Sequence, residues 1–322
     1  MELTDLLARI IHCNSISSIN PSIDQGNRDV IDLLANTLGD LGFAIEIMDL
    51  GNNKANLIAT YGSGPGGLVL AGHTDTVPCD EALWQSNPFQ LSERDNRWYG
   101  LGTCDMKGFF PLAIEAFKSL ADKNLKQPLI ILATADEESS MSGAKALVSA
   151  GKPIARSALI GEPTNNRPVK MHKGIMIEKL TITGKSGHSS NPALGNNAME
   201  SMQRILGQLM AMRDRMKQQK HPGFLIDHPT LNLGCIQGGD NANRICGHCF
   251  LAFEIRPLPG MDLQQLQKDI EREVSKTAEA DKMDWKLEKL IVPPFCGDEH
   301  SEIVALCEKL TGHRGESVAF AT

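Results

Sequence analysis

Leu129-Ile130-Ile131-Leu132-Ala133-Thr134-Ala135-Asp136-Glu137-Glu138 sets a short apolar run directly against three acidic residues. Two other stretches repeat the arrangement: Leu68-Val69-Leu70-Ala71 precedes His73-Thr74-Asp75, and Ala158-Leu159-Ile160 precedes Glu162. Apolar runs of this length read as strands buried on both faces. In an open α/β sheet the carboxyl ends of parallel strands form the ligand crevice, so groups far apart in sequence converge there. With Asp105 added, the set is one imidazole and several carboxylates at four separate places, the inventory of a dinuclear metal hydrolase. An isolated acidic run is usually a solvated turn. Ionisable residues placed after three different apolar strands argue against that reading.

The residue types narrow the metal. A histidine among carboxylates suits Zn²⁺ or a neighbouring transition ion better than Ca²⁺, which favours oxygen-only shells. His73 is expected to bind through one ring nitrogen, with Asp75, two residues on, holding the proton of the other. Asp105 is a candidate bridge between two ions. Neighbouring side chains in extended backbone point to opposite faces, so Glu137 and Glu138 are expected to divide their roles, one binding metal and the other handling protons. A metal lowers the pKa of its water toward roughly 7, and an adjacent carboxylate then accepts the proton and passes it to the leaving amine.

Four further stretches make the pattern specific: Gly72-His73-Thr74-Asp75-Thr76-Val77-Pro78, Gly100-Leu101-Gly102-Thr103-Cys104-Asp105-Met106-Lys107-Gly108, Ala135-Asp136-Glu137-Glu138 and Gly161-Glu162-Pro163-Thr164. Together they resemble the metallo-aminoacylase and carboxypeptidase family. Additional matches lie at His172-Lys173-Gly174, Gly184 to Ser190, Thr230 to Gly234, Gly238-Gly239-Asp240, Asn243 to Cys246 and Glu254 to Gly260, so the similarity spans nearly the whole chain. The resemblance implies Asp105 as bridging carboxylate, His73, Glu138 and Glu162 as the other metal ligands, Glu137 as general base, and two Zn²⁺ per site, with Co²⁺ as an alternative. It also implies that His188 stabilises the oxyanion in a partner subunit's site. Asn243, Arg256 and Lys173 are the implied substrate contacts, and the Arg256 guanidinium suits a carboxylate.

The implied reaction is hydrolysis of N²-acetyl-L-ornithine to L-ornithine and acetate, a step toward arginine. Residue chemistry by itself reaches only metal-dependent amide hydrolysis, which leaves succinyl-diaminopimelate desuccinylation or a broader aminoacylase open. The family's second metal-binding histidine belongs to a segment expected after Thr322. The second metal position is therefore expected to be incomplete, with neither His300 nor His313 in the right context to replace it. An inactive chain that only dimerises is the reading from another class.

The expected fold class is α/β: a mostly parallel-sheet catalytic domain over residues 1–177 and 292–322, interrupted at 178–291 by an α+β lid. Strand, helix, strand, strand, helix and strand follow one another from Ile175 to Ile291, the order of a split βαβ unit. The resemblance makes that unit a lid that also forms a homodimer. Val30, Leu33, Leu34, Leu38 and Leu41 mark one helical stripe closed by Gly42.

Composition excludes several classes. Hydrophobic residues at 41% and charged residues at 22% are ordinary for a globular chain of 322 residues. A net charge of −7 argues against general nucleic-acid binding. No apolar run reaches the roughly 18 residues of a membrane span, and Met1-Glu2-Leu3-Thr4-Asp5 lacks a basic leader, so a cytoplasmic location is expected. The eight cysteines lack framework spacing, which fits reduced thiols. Cys246-Gly247-His248-Cys249 has no second ligand pair and leads into a strand pattern, so it is assigned to packing.

Overall fold

A computed structural model describes residues 2–120, 124–298 and 300–320. The chain divides into two compact units, Met1–Asn166 and Arg167–Thr322.

The first unit opens with helix α1 (Leu3–His12) and helix α2 (Arg28–Asp40). Strands β1 (Ala44–Gly51), β2 (Lys54–Tyr61) and β3 (Leu68–His73) come next, then a small hairpin of β4 (Ser92–Arg94) and β5 (Arg97–Tyr99). Helix α3 (Phe109–Lys118), strand β6 (Leu129–Thr134), helix α4 (Ser142–Ala150) and strand β7 (Ser157–Ile160) complete it. The main sheet runs β1-β2-β6-β3-β7. Its parallel part is β6-β3-β7, as expected of the ligand-bearing strands, while β1-β2 adds an antiparallel hairpin that pairs antiparallel with β6.

The α2 stripe is buried at Val30, Leu34 and Leu38, where it packs with Leu57 and Ala59 of β2 and with Phe110, Ile114 and Phe117 of α3. Gly42 comes after the helix at φ +86°, a conformation a side chain would strain. The other sheet face buries Ile58, Val69, Ile130 and Leu132 beneath Leu147 of α4. β7 departs from expectation. Among the described residues it pairs only with β3, at the edge of this sheet, so Ile160 is 51% exposed rather than buried on both faces.

The second unit begins with β8 (Val169–His172) and continues through β9 (Ile175–Thr183), α5 (Ala198–Met216), β10 (Thr230–Gly238), β11 (His248–Arg256), α6 (Leu263–Ala280) and β12 (Asp284–Val292). These last six elements keep closely to the strand and helix order expected for 178–291, and their strands form an all-antiparallel sheet, β10-β11-β9-β12. Alternate β9 residues Met176, Leu180 and Ile182 pack against Met202, Ile205 and Leu209 of α5 and Ile270 and Val274 of α6. Cys246 and Cys249 belong to this core as buried free thiols. Strand β13 (Phe295–Cys296), helix α7 (Glu302–Thr311) and strand β14 (Glu316–Val318) end the unit, with β8 central in a sheet ordered β13-β8-β14. α7 buries none of its residues, and Leu310 is 75% exposed.

One polar side chain sits in the β9 core face. Glu178 is fully buried, and neither carboxylate oxygen meets a hydrogen-bond partner among the described residues. Burial pushes its carboxyl up to about 7, and the neighbouring Gln267 and Lys289 offset this only in part. The folded value lies above the unfolded one, so the proton is bound more tightly in the folded state. Its stabilising contribution is complete below the unfolded pKa and is lost as pH rises through about 7. We predict that Glu178→Gln, compared with wild type in urea, gains about 1–3 kcal/mol at pH 8 and much less at pH 4.5. An equal difference at both pH values would contradict it.

Candidate active site

His73 ends β3 in register with Thr134, and Ala71 is in register with Ile160. The carboxyl ends of β3, β6 and β7 therefore lie along one sheet edge, and each leads within four residues to an acidic group. Glu162 is joined to β7 through Gly161, where a Cβ would lie 2.1 Å from the Phe109 ring. Glycine is needed there to bring the Glu162 segment against α3.

His73 is the centre of the cluster, with its side chain only 1% exposed. Its Nε2 lies 3.1 Å from Asp105 Oδ1, 3.8 Å from Glu162 Oε1 and 4.0 Å from Glu137 Oε2. Two groups have ligand atoms within 4.8 Å of one another: His73 with Asp105 and Glu162, and His73 with Glu137 and Glu138. The four metal-ligand positions inferred from sequence, His73, Asp105, Glu138 and Glu162, are thus brought together along with Glu137.

Two details differ from the sequence expectations. The His73 Nδ1 proton is held by the Asp75 backbone carbonyl at 2.9 Å, while the nearer Asp75 carboxylate oxygen stands at 3.6 Å. That carboxylate accepts instead from the Glu137 amide at 3.2 Å and the Glu138 amide at 3.0 Å. It shapes the acidic turn. The second difference concerns the turn itself. Asp136 is left-handed at φ 59° and residues 137–140 form a turn, so the alternation of an extended strand does not apply and both glutamates reach the same imidazole. The separation of their roles has to come from another source.

Electrostatics reflect the crowding of carboxylates around one imidazole. Burial opposes protonation of His73, but the Asp105 hydrogen bond and the fields of Asp75, Glu137 and Glu162 raise it to about 9. Burial pushes Glu138 up to about 7; His73 opposes this, whereas Asp105, Glu137 and Asp75 add to it. The donor set of one imidazole and four carboxylates, short of positive charge, fits a divalent metal cation.

Sequence reasoning left several supporting residues without a role. Asn56 takes the Ala135 amide at 3.1 Å and gives to the Gly143 carbonyl at 2.9 Å, which ties β2 to the turn. Ser15 donates to the Thr74 carbonyl at 2.7 Å, and the buried Lys107 ammonium reaches the Cys13 carbonyl at 2.8 Å. Burial lowers Lys107 to about 8. Asn56 inside an apolar strand run and Lys107 just before the apolar start of α3 were the available signal, since polar groups in such positions need partners.

The remaining expected site residues lie in the second unit. His188 is in a turn with Nδ1 2.8 Å from Ser190 Oγ, and it bridges to Arg244. Asn243 is exposed beside it in sequence, and its carbonyl accepts from the Ser189 amide at 3.0 Å. Arg256 is engaged by Glu254 at 2.8 and 3.0 Å, with Nη1 buried and unpartnered among the described residues. Lys173 is 1% exposed, with its ammonium on the His228 carbonyl at 2.7 Å and over the Phe224 ring. This geometry turns the lysine charge inward, where the 221–228 loop takes it up. His300 and His313 flank α7 and belong to neither metal-ligand group.

Such a site on such a sheet defines a metal-dependent amide hydrolase of the M20 peptidase fold. A profile of the peptidase dimerisation domain matches residues 170–282. The M20-family metallo-carboxypeptidase Sso-CP2 of Sulfolobus solfataricus superposes with TM-score 0.77 at 17% identity, covering 100% of this chain and 86% of its own. A dinuclear metal-binding M20 peptidase of Bacillus subtilis gives 0.61 at 16%, covering 99% and 83%. Nearer relatives are acetylornithine deacetylases: that of Pasteurella multocida (strain Pm70) is 46% identical over 98% of this chain and 84% of its own length. That of Edwardsiella ictaluri (strain 93-146) is also 46% identical with the same coverage. The chain belongs to the acetylornithine deacetylase family.

Asp75 accepts two amides of the acidic turn, so Asp75→Ala leaves two donors without their acceptor. A loss of about 2–4 kcal/mol in denaturant unfolding is expected, together with weaker zinc retention. Unchanged zinc affinity would show that the turn holds its shape without Asp75.

Proposed function

We propose that this chain hydrolyses N²-acetyl-L-ornithine to L-ornithine and acetate, a step of arginine biosynthesis, using zinc as its metal, with cobalt as a functional substitute. The observation that carries the reading is the convergence of His73, Asp105, Glu162, Glu137 and Glu138 at the carboxyl edge of a parallel sheet. The substrate comes from the family resemblance and the deacetylases that share 46% identity over almost the whole chain.

His73, Asp105, Glu138 and Glu162 would hold the metal, with Asp105 the carboxylate that the family resemblance implies would be shared between two ions. When bound, the metals supply Lewis acidity and lower the pKa of a water toward roughly 7. Glu137 accepts the proton of the attacking water at a carboxylate oxygen and returns it to the departing amine nitrogen. Asp75 orients Glu137 and Glu138 through their amides. Asn243 and Arg256 serve the substrate, the latter by exchanging part of its hold on Glu254 for a substrate carboxylate. His188 donates to the oxyanion in a partner subunit's site.

A homodimer through the second unit is part of this reading, supported by the peptidase dimerisation match and by β10, an edge strand exposed from Gly234 to Gly238. The catalytic domain is taken as residues 1–177 and 292–322, with the lid at 178–291. A cytoplasmic setting is supported by eight free cysteines. No helix among the described residues is long and apolar enough to cross a membrane.

Ornithine release from N²-acetyl-L-ornithine by the zinc-loaded chain, abolished by chelation and restored by zinc, tests the reaction directly. N-succinyl-L,L-diaminopimelate serves as comparator, and a higher kcat/KM for it would replace the proposed substrate. We further predict that Glu137→Gln keeps its zinc while kcat falls by about 10²–10⁴. Loss of zinc in Glu137→Gln with retention in Glu138→Gln would exchange the two roles.

A further inference from the structure

We infer that Lys54 is a positioning residue for this hydrolysis: its ammonium, shared between Asp24 and Asp136, holds the left-handed corner from which Glu137 and Glu138 enter the metal site. The inference rests on the proposed reaction for its kinetic meaning, but its structural basis is independent of substrate.

Lys54 is the first residue of β2, and its side chain is only 12% exposed. Nζ lies 2.7 Å from Asp136 Oδ1 and 2.7 Å from Asp24 Oδ2. Asp136 is itself buried and takes further hydrogen bonds from Ser17 Oγ at 2.9 Å, Ser142 Oγ at 2.7 Å and Ser140 Oγ at 3.3 Å. A carboxylate held by the Lys54 ammonium and three serine hydroxyls therefore anchors a residue at φ 59°. That backbone region costs an aspartate of order 1 kcal/mol or more, and the residue keeps it only when its surroundings over-determine it.

The anchor matters because Glu137 and Glu138 come directly after it. Asp75 receives the amides of both. The turn is thus gripped on two sides: Asp136 is pulled toward Lys54, and the glutamate backbone is pulled toward His73 and Asp75. Asp24 faces the same ammonium, so removing Lys54 leaves two poorly solvated carboxylates opposed with no cation between them. The cheapest relief is for Asp136 to leave its corner, which swings both glutamates. A displacement of about 1 Å at a catalytic group is enough to cost on the order of 10²-fold in rate. Ordinary exposed pairs such as Lys152 with Glu46 have no such leverage.

The test compares Lys54→Met, Lys54→Arg, Asp24→Asn and Lys152→Met in the full chain. Hydrogen exchange is measured over residues 134–142 of the metal-free protein, with zinc affinity by chelator competition, and kcat and KM with N²-acetyl-L-ornithine. Lys54→Met is expected to lose amide protection in this segment, bind zinc at least tenfold more weakly, and lower kcat about 10–100-fold with KM within about threefold. Lys54→Arg is expected to restore most of each effect, while Asp24→Asn and Lys152→Met stay within about twofold of wild type. If Lys54→Met does not fold, Ser17→Ala, which deletes one contact to Asp136, takes the same measurements with proportionally smaller shifts expected. A folded Lys54→Met or Ser17→Ala that loses only thermal stability, with protection and zinc affinity unchanged, overturns the inference. If wild type hydrolyses no N-acyl amino acid, the functional reading fails, while exchange in the metal-free turn still decides the role of Lys54.

Discussion

Four carboxylates crowded around one buried imidazole repel one another, and the first unit is organised to hold them together against that repulsion. Hydrophobic burial is non-directional and cannot fix the angle of a carboxylate. The fixing is done by hydrogen bonds between loops that the sheet brings close: Asp75 to the amides after Asp136, Asn56 to Ala135 and Gly143, Ser15 to the Thr74 carbonyl. Each is buried or half-buried, where an unmade bond would be costly and a made one keeps its direction. The apolar faces of β2, β3 and β6 supply the rigid platform, and the polar ties set the site upon it.

This division explains what could be read from the chain and what could not. The runs 68–71 and 129–132 form buried strands whose carboxyl ends carry the acidic groups, because apolar stretches that end in ionisable residues have few other stable arrangements. The unit from Ile175 to Val292 is equally legible, since its helix and strand periods are clear and its core residues alternate on β9. Ile160 is not legible in the same way, because an edge strand carries the same apolar letters as a central one, and only its partners tell them apart.

The site is legible in composition and less so in geometry. His73, Asp105, Glu138 and Glu162 come out together, as motif and strand position require. The backbone around Glu137 does not, because a left-handed aspartate cannot be inferred from Ala135-Asp136-Glu137 by propensity; it is imposed by partners more than 80 residues away, Lys54 and Ser17. Lys173, a substrate contact by resemblance, has its ammonium taken up by the His228 carbonyl inside the second unit. A lysine beside a glycine gives no local sign of which way it will turn.

Loss of strand alternation also changes what distinguishes Glu137 from Glu138. Both reach His73, so their separation must come from their surroundings. Burial, with Asp105, Glu137 and Asp75 nearby, drives Glu138 up to about 7, which marks a carboxylate whose charge a cation would favour. Glu137 Oε2 stands 4.0 Å from His73 Nε2, and its side chain is 19% exposed, so it keeps access to solvent. Any division of roles between them therefore depends on what surrounds each carboxylate and not on which face of a strand each residue occupies.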